Sequence, residues 1–219
     1  MTLGEQDGLF GPELDGRPIR LPKGTVLAVP SRSLGQALVA EWSRIPDNEA
    51  FTPEQLPLTR IAGTMIERIR PDLVEARETL LRHGLDDGLC YRKEKPDSTV
   101  ERVLEWLAKE GVRPIVTAGL MPITQSGDYI TGLERLLAQQ NEAELAVLGV
   151  LTQSFGSLLL ALALVSGTIS REAAISVANA DERRQLEVWG RDDELFRVMM
   201  TREQDTTEAL TFLGFAREG

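Results

Sequence analysis

The feature that most constrains the fold of this 219-residue chain is a strongly apolar segment near its middle, residues 146–165. The segment is long enough on paper to cross a bilayer, but polar residues and a glycine interrupt it at positions 153–157, and its longest unbroken apolar run covers only residues 158–165. Apolar side chains recur through it at helical spacing. We therefore expect a helix over residues 142–165 that neighbouring elements bury, and no membrane insertion.

The charge balance narrows the class of partner. The chain carries 34 acidic and 24 basic residues, for a net charge of −10, which repels polyanions and excludes nucleic acid and anionic membranes as natural partners. Its single cysteine, Cys90, has no partner for an internal disulfide. The polar, acidic first residues resemble neither a signal peptide nor a mitochondrial import leader. We expect a cytoplasmic, bacterial protein that binds another protein.

The N-terminal region has the pattern of a small β unit followed by a helix. An Asp-Gly pair at positions 15–16 indicates a tight hairpin turn, and residues 26–30 read as an extended segment. Ser31 is placed to cap a helix over residues 34–42. Trp42 ends that helix on its apolar face, and we expect it to give structural support where the β unit meets the rest of the chain.

A proline-bearing stretch then separates this region from a chain of helical periodicity. We place a domain boundary there, with a small β-containing domain over residues 1–56 and a helical domain over residues 57–219. The fold class is therefore α+β. The helical domain is expected to begin near residue 58, with later helices over residues 72–83, 99–109, 129–140, 142–165, 170–189 and 192 onward, and an edge hairpin over residues 112–124.

The inventory of catalytic side chains is thin. His83 is the only histidine, and the sequence contains no glycine-rich phosphate loop, zinc-spaced cluster or nucleophile elbow. Asp181, Glu182, Asp192 and Glu194 are oxygen ligands of the kind that a magnesium ion accepts, although solvated helix faces give the same pattern. We expect that the chain is not an enzyme and binds no cofactor. The alternative is a carboxylate-metal-dependent hydrolase.

Residues 181–194 combine a helix end, an aromatic side chain and six carboxylates. Leu186 and Trp189 share one helical face, Gly190 is suited to ending the helix, and Asp192 is suited to capping the next one. The segment therefore predicts two helices that meet at a corner, with Trp189 and Gly190 as structural support. Its acidic surface is interpreted as either a recognition surface or an ordinary solvated helix junction.

A second informative segment, residues 85–92, joins a turn to a tyrosine and an arginine. A tyrosine hydroxyl and a guanidinium beside a turn are able to satisfy buried carbonyls or an acidic side chain. We therefore expect Tyr91 and Arg92 to be internal supports.

Seven pieces in one order make the chain resemble a known family over residues 14–200. These pieces are Leu14-Asp15-Gly16-Arg17-Pro18, Val29-Pro30-Ser31, Glu41-Trp42, Pro57-Leu58-Thr59-Arg60, residues 85–92, residues 156–164, and Trp189-Gly190-x-Asp192-x-Glu194. Their order and spacing resemble those of the ATP synthase assembly chaperones that escort the alpha subunit of the F-type catalytic head. The run before Leu14 is shorter than is usual there, which predicts that an N-terminal strand is missing.

The resemblance implies a two-part α+β protein with no catalytic activity and no required nucleotide. It implies that the chain, a monomer when free, binds the unassembled alpha subunit and shields the surface that later meets the beta subunit. We expect the helical domain to provide this cover, with Glu182, Glu187, Asp192 and Glu194 as the partner-binding charges. An adaptor for another protein client is a further alternative.

Overall fold

The computed structural model describes residues 1–46, 50–91, 97–119 and 121–218, and it confirms an α+β architecture. Three strands come first: β1 Thr2–Gln6, β2 Leu9–Leu14 and β3 Arg17–Pro18. Helices follow over the rest of the described chain: α1 Arg32–Trp42, α2 Pro57–Thr64, α3 Leu73–Leu85, α4 Ser98–Lys109, α5 Gly127–Ala138, α6 Glu142–Phe155, α7 Leu158–Val165, α8 Arg171–Ala178, α9 Ala180–Trp189 and α10 Asp193–Arg217. A π-helical turn, Met65–Ile69, directly follows α2.

The strands form an antiparallel sheet in the order β1-β2-β3. Both connections are Asp-Gly pairs, residues 7–8 and 15–16, whose four residues all have positive φ, the conformation that a two-residue hairpin turn with the twist of its strands requires. The predicted Asp-Gly turn is confirmed by the pairing of Leu14 with Arg17. The short run before Leu14 contains β1, which pairs with β2 along its whole length, and the absence of a further N-terminal strand stays a prediction.

Residues 26–30 are extended but form only isolated bridges, Phe10 with Val29 and Arg20 with Val26, so the strand expected there is reduced to single pairings. The hairpin expected over residues 112–124 is also wrong. In the described part of that segment the only bridge joins Tyr91 to Thr117, in parallel. Pro114 and Pro122 each lack an amide donor, which is the physical reason that no ladder extends here.

The contacts within the chain group it into two compact units, which differ from the division expected from the sequence. One unit comprises residues 1–73, 141–147 and 208–219, and the other comprises residues 74–140 and 148–207. The first has a core that includes Leu27, Leu38, Ile61 and Phe212, none of them more than 1% exposed. The domain boundary after residue 56 stays a prediction.

The second unit has α7 in its core, and all eight residues of this helix are buried. The single helix expected over residues 142–165 is instead two, because Gly156 adopts a positive φ of 65° and Ser157 caps α7 by accepting the Leu160 amide at 3.0 Å. The helix expected over residues 170–189 is likewise divided, at Asn179, into α8 and α9. Among the described residues no helix has the length and apolarity that a membrane crossing needs.

Candidate interaction surface

The segment over residues 180–200 forms two helices that meet at a short corner, as the sequence predicts. Gly190 ends α9 with a φ of 82°, a conformation that glycine adopts without strain, and its amide donates to the Leu186 carbonyl at 3.0 Å. Asp192 then caps α10, because its Oδ1 accepts the amides of Glu194 at 2.8 Å and Leu195 at 3.1 Å. The turn between the helices is therefore fixed by Gly190 and Asp192.

The side chains around this corner are unusually exposed for their type. Trp189 is 84% exposed and Val188 is 67% exposed, and Phe196, Val198 and Met200 in the first two turns of α10 are also exposed. No residue of α9 is buried. Large apolar side chains that a folded chain leaves in water mark an interaction surface. We call the surface formed by residues 186–200 the corner surface.

Burial does not give Trp189 the structural support that the sequence predicts. The spacing of Leu186 and Trp189 correctly places both on one face of a helix, but periodicity does not reveal whether another element covers that face. Here Leu186 is only half-buried and Trp189 is open to solvent.

The four carboxylates predicted to bind a partner fall into two groups. Glu187, Asp192 and Glu194 are exposed on the corner surface. Glu182 is different: its carboxylate lies 3.0 Å from a guanidinium nitrogen of Arg202, and the two side chains are only 16% and 12% exposed. Glu182 is thus engaged within the fold, and its role toward a partner stays a prediction.

Arg202 is a residue that the sequence reasoning missed. Its guanidinium donates to the carbonyl oxygens of Ser154 at 2.8 Å and Ala178 at 3.0 Å, and to the Asn179 side chain, in addition to Glu182. These acceptors lie at the ends of α6 and α8 and in the first turn of α9. A planar guanidinium with several fixed donors is suited to bonding several acceptors at once. Arg202 therefore holds the start of α9 against the ends of α6 and α8.

Trp42 and Tyr91, two other residues predicted to give structural support, make defined contacts. The Trp42 indole nitrogen donates to Thr59 Oγ1 at 3.0 Å, and its ring lies edge-on to Phe51 with 5.1 Å between centroids. The Tyr91 hydroxyl donates to Asp86 and accepts the Ile123 amide at 3.1 Å, and the bond to Asp86 raises the pKa of Tyr91. Arg92 lies outside the described residues.

Two buried carboxyl groups connect four of the seven sequence pieces on which the family resemblance depends. Glu41 is 5% exposed and accepts the amides of Leu58 at 2.7 Å and Thr59 at 2.9 Å together with the Thr59 hydroxyl at 2.6 Å, so it caps the start of α2. Burial raises the pKa of Glu41. The sequence pieces at residues 41–42 and 57–60 thus contact each other in the structure.

Asp87 plays the corresponding part in the second unit. It is 1% exposed and accepts the Leu89 amide at 2.9 Å, the Ser157 hydroxyl at 2.6 Å and the Leu159 amide at 3.0 Å. Burial raises the pKa of Asp87. The carboxyl group therefore joins the turn after α3 to the start of α7, and it links the pieces at residues 85–92 and 156–164.

The carboxylates do not assemble a metal site within the described ranges. No group of three or more histidine, cysteine, aspartate or glutamate side chains is positioned there to hold an ion. The hydrolase alternative requires Asp181, Glu182, Asp192 and Glu194, which are spread over α9 and the start of α10, and Glu182 pairs with Arg202. The arrangement is suited to contact with another macromolecule.

Comparison with known proteins gives concordant results. The family model described as ATP12 chaperone protein matches residues 2–117, more than half of the chain. The mitochondrial atp12 protein of Schizosaccharomyces pombe is 24% identical over 207 residues, covering 84% of this chain and 70% of that protein.

Solved structures agree. Atp12 from Paracoccus denitrificans superposes with a TM-score of 0.85 at 28% identity, covering 98% of this chain and 95% of that one. The Atu1473 protein of Agrobacterium tumefaciens, described as a chaperone, gives a TM-score of 0.82 at 32% identity, covering 97% of this chain and 83% of that one. The chain belongs to the ATP12 chaperone family.

Proposed function

We propose that this chain is an ATP synthase assembly chaperone that binds the unassembled alpha subunit of the F-type catalytic head and shields its beta-facing surface until assembly. Membership of the ATP12 chaperone family supports the assembly role and makes the chain a chaperone and not an enzyme. The alpha subunit as client follows from the family resemblance. We further propose that the chain acts in the bacterial cytoplasm, in keeping with its structural relatives from Paracoccus and Agrobacterium.

The observation that carries the proposal is the corner surface. Subunits of obligate assemblies have strongly apolar interfaces, so an isolated subunit needs an apolar cover that is itself soluble. The exposed Trp189 and Phe196 supply apolar area, and the surrounding carboxylates keep the free chaperone in solution. Aromatic side chains of this kind commonly dominate binding energy, whereas charges at the edge mainly raise the association rate and fix orientation.

The test is suppression of aggregation by purified components. Isolated alpha subunit is diluted into buffer without metal or nucleotide, and light scattering is followed with increasing chaperone. The unsubstituted chain is expected to suppress scattering at about equimolar ratio, and Trp189→Ala is expected to weaken binding by roughly 30-fold, the equivalent of a 2 kcal/mol hot spot. Glu187→Lys is expected to slow capture, more strongly at low salt.

Matched controls lie on the same unit away from the corner surface. Val74 is 65% exposed on α3 and Glu105 is exposed on α4. Val74→Ala therefore shortens an exposed apolar side chain outside the corner surface, and Glu105→Lys repeats the charge reversal there. They are expected to leave capture unchanged. Failure of the unsubstituted chain to suppress scattering would overturn the proposal, and binding without suppression would indicate an adaptor.

A further inference from the structure

A cleft of about 520 Å³ lies within the unit formed by residues 1–73, 141–147 and 208–219. Residues 19–22 form one side, and α2 with the π-helical turn after it forms the other. Trp42 and Phe51 also line the cleft. Its volume is in the range of binding pockets, which are typically 300 to 1,000 Å³.

The walls of the cleft are apolar and held in place. Leu21 and Leu56 are buried beneath it, and Trp42 is fixed by its hydrogen bond to Thr59. Phe51 remains 46% exposed although it contacts the Trp42 ring. A π-helical turn, Met65–Ile69, places Arg68 and Glu67 at the cleft, and such turns occur frequently at functional sites.

The rim of the cleft has the opposite charge from the chain as a whole. Arg20, Arg60 and Arg68 line it, and Glu67 is the only carboxylate among its lining residues in the described chain. The Glu67 carboxylate accepts the Lys23 amide at 3.0 Å, which brings a further cation to this side. Arg60 pairs with Glu208 at 3.2 Å. Although Arg60 is paired, Arg20 and Arg68 keep the rim locally basic on a protein of net charge −10.

We infer that this cleft binds an extended client segment in which an apolar side chain is flanked by carboxylates. The apolar side chain would enter between Trp42 and Leu21, and the carboxylates would meet the rim arginines, where planar guanidinium groups bind them with two parallel hydrogen bonds. In naming the client as the source of the segment, the inference rests on the proposed function. The cleft on one unit would thus bind acidic client groups, whereas the corner surface on the other unit carries carboxylates of its own.

The direct test uses the emission of Trp42 and does not need the client. The chain has three tryptophans, so Trp106→Phe with Trp189→Phe leaves Trp42 as the only reporter. The probe is the synthetic peptide Gly-Ser-Glu-Leu-Phe-Asp-Gly-Ser, blocked at both ends. We expect a saturable change in emission below about 1 mM peptide, and at least about tenfold weaker binding after Arg68→Glu.

Two further variants separate cleft binding from general attraction. Gly63→Leu introduces a side chain at a position where even a Cβ would lie 3.2 Å from Leu21, and we expect it to abolish peptide binding. Arg17→Glu makes the same charge change at an exposed position outside the cleft and is expected to have no effect. A peptide with Gln and Asn in place of its acids is expected to bind at least about tenfold more weakly.

An experiment with the alpha subunit as client distinguishes the cleft inference from the proposed function. If alpha subunit is captured by the unsubstituted chain and less tightly by Arg68→Glu, both stand. If capture is unaffected by Arg68→Glu and the peptide does not perturb Trp42, the cleft inference is overturned while the proposed function survives. If the chain captures no alpha subunit, the proposed function fails and the peptide titration alone decides the cleft. Binding of dodecanoate without binding of the peptide would also overturn the inference, in favour of a small apolar acid.

Discussion

Replacing Asp87 by alanine should destabilise the chain far more than replacing its neighbour Asp86. Asp87→Ala leaves the buried amides of Leu89 and Leu159 without their acceptor and removes one bond of the Ser157 hydroxyl. An unsatisfied buried donor costs about 1 to 3 kcal/mol, so the two amides together give a loss of roughly 2 to 6 kcal/mol. In a chain of this size each kcal/mol lowers the Tm by about 2 to 4 °C, so the expected fall in Tm is roughly 4 to 24 °C.

Urea denaturation followed by far-ultraviolet circular dichroism measures this difference. Asp86→Ala removes the same charge at an exposed position and one hydrogen bond to Tyr91, so its expected cost is within about 1 kcal/mol. Asp87→Asn keeps one acceptor oxygen but turns an amide group toward a donor, so its cost should lie between the two. If Asp87→Ala costs no more than Asp86→Ala, the carboxyl group does not join the turn to α7 as argued.

Two further predictions concern other buried polar groups. Arg202→Met should loosen α9, since it leaves Glu182, whose side chain is only 16% exposed, without its cation at a cost of roughly 1 to 3 kcal/mol. Hydrogen exchange should then be faster in α9, and unchanged exchange there would contradict the role assigned to Arg202. Because burial raises the pKa of Glu41, the folded chain keeps that proton to a higher pH than the unfolded chain, whose glutamate pKa is about 4.3. The stability that this group contributes is therefore full below about pH 4.3 and is lost as the pH rises through the raised pKa, so the unfolding free energy of the unsubstituted chain relative to Glu41→Gln should fall over that range of a urea titration series; a rise would contradict the burial argument.

Local chemistry made several elements predictable from sequence. The Asp-Gly turn at residues 15–16, the cap of α1 at Ser31 and the end of α9 at Gly190 each depend on a few adjacent residues, and all three are present. Their physical causes, positive φ and an acceptor for a free amide, act within one turn of chain. Such features need no knowledge of what packs against them.

The break between α6 and α7 shows where periodicity misleads. Gly156 and Ser157 were visible as interruptions, yet the apolar pattern continues past them because α7 is buried on every side. A helix without a polar face carries little information about its own register or length. The apolar run therefore predicts correctly that the segment is buried, and wrongly that it forms one continuous helix.

Long-range partners explain the remaining differences. Glu41 and Asp87 were not selected as key residues because a carboxylate in sequence gives no sign that it will be buried, and their partners lie 17 to 18 and 2 to 72 positions away. Arg202 was missed for the same reason. For Trp189 the expectation fails in the opposite direction. Aromatic residues are usually buried, but this side chain is exposed.

The route of α10 affects the order in which the protein matures on the ribosome. The unit that contains the first 73 residues also contains residues 208–219, including the buried Phe212 and Leu213, and Ser31 donates to the Phe215 carbonyl at 2.6 Å. Domains commonly fold as they emerge, N-terminal part first. Here residues 1–73 must wait for α10, which is made much later, so a premature stop codon within this helix would leave the unit that they form incomplete.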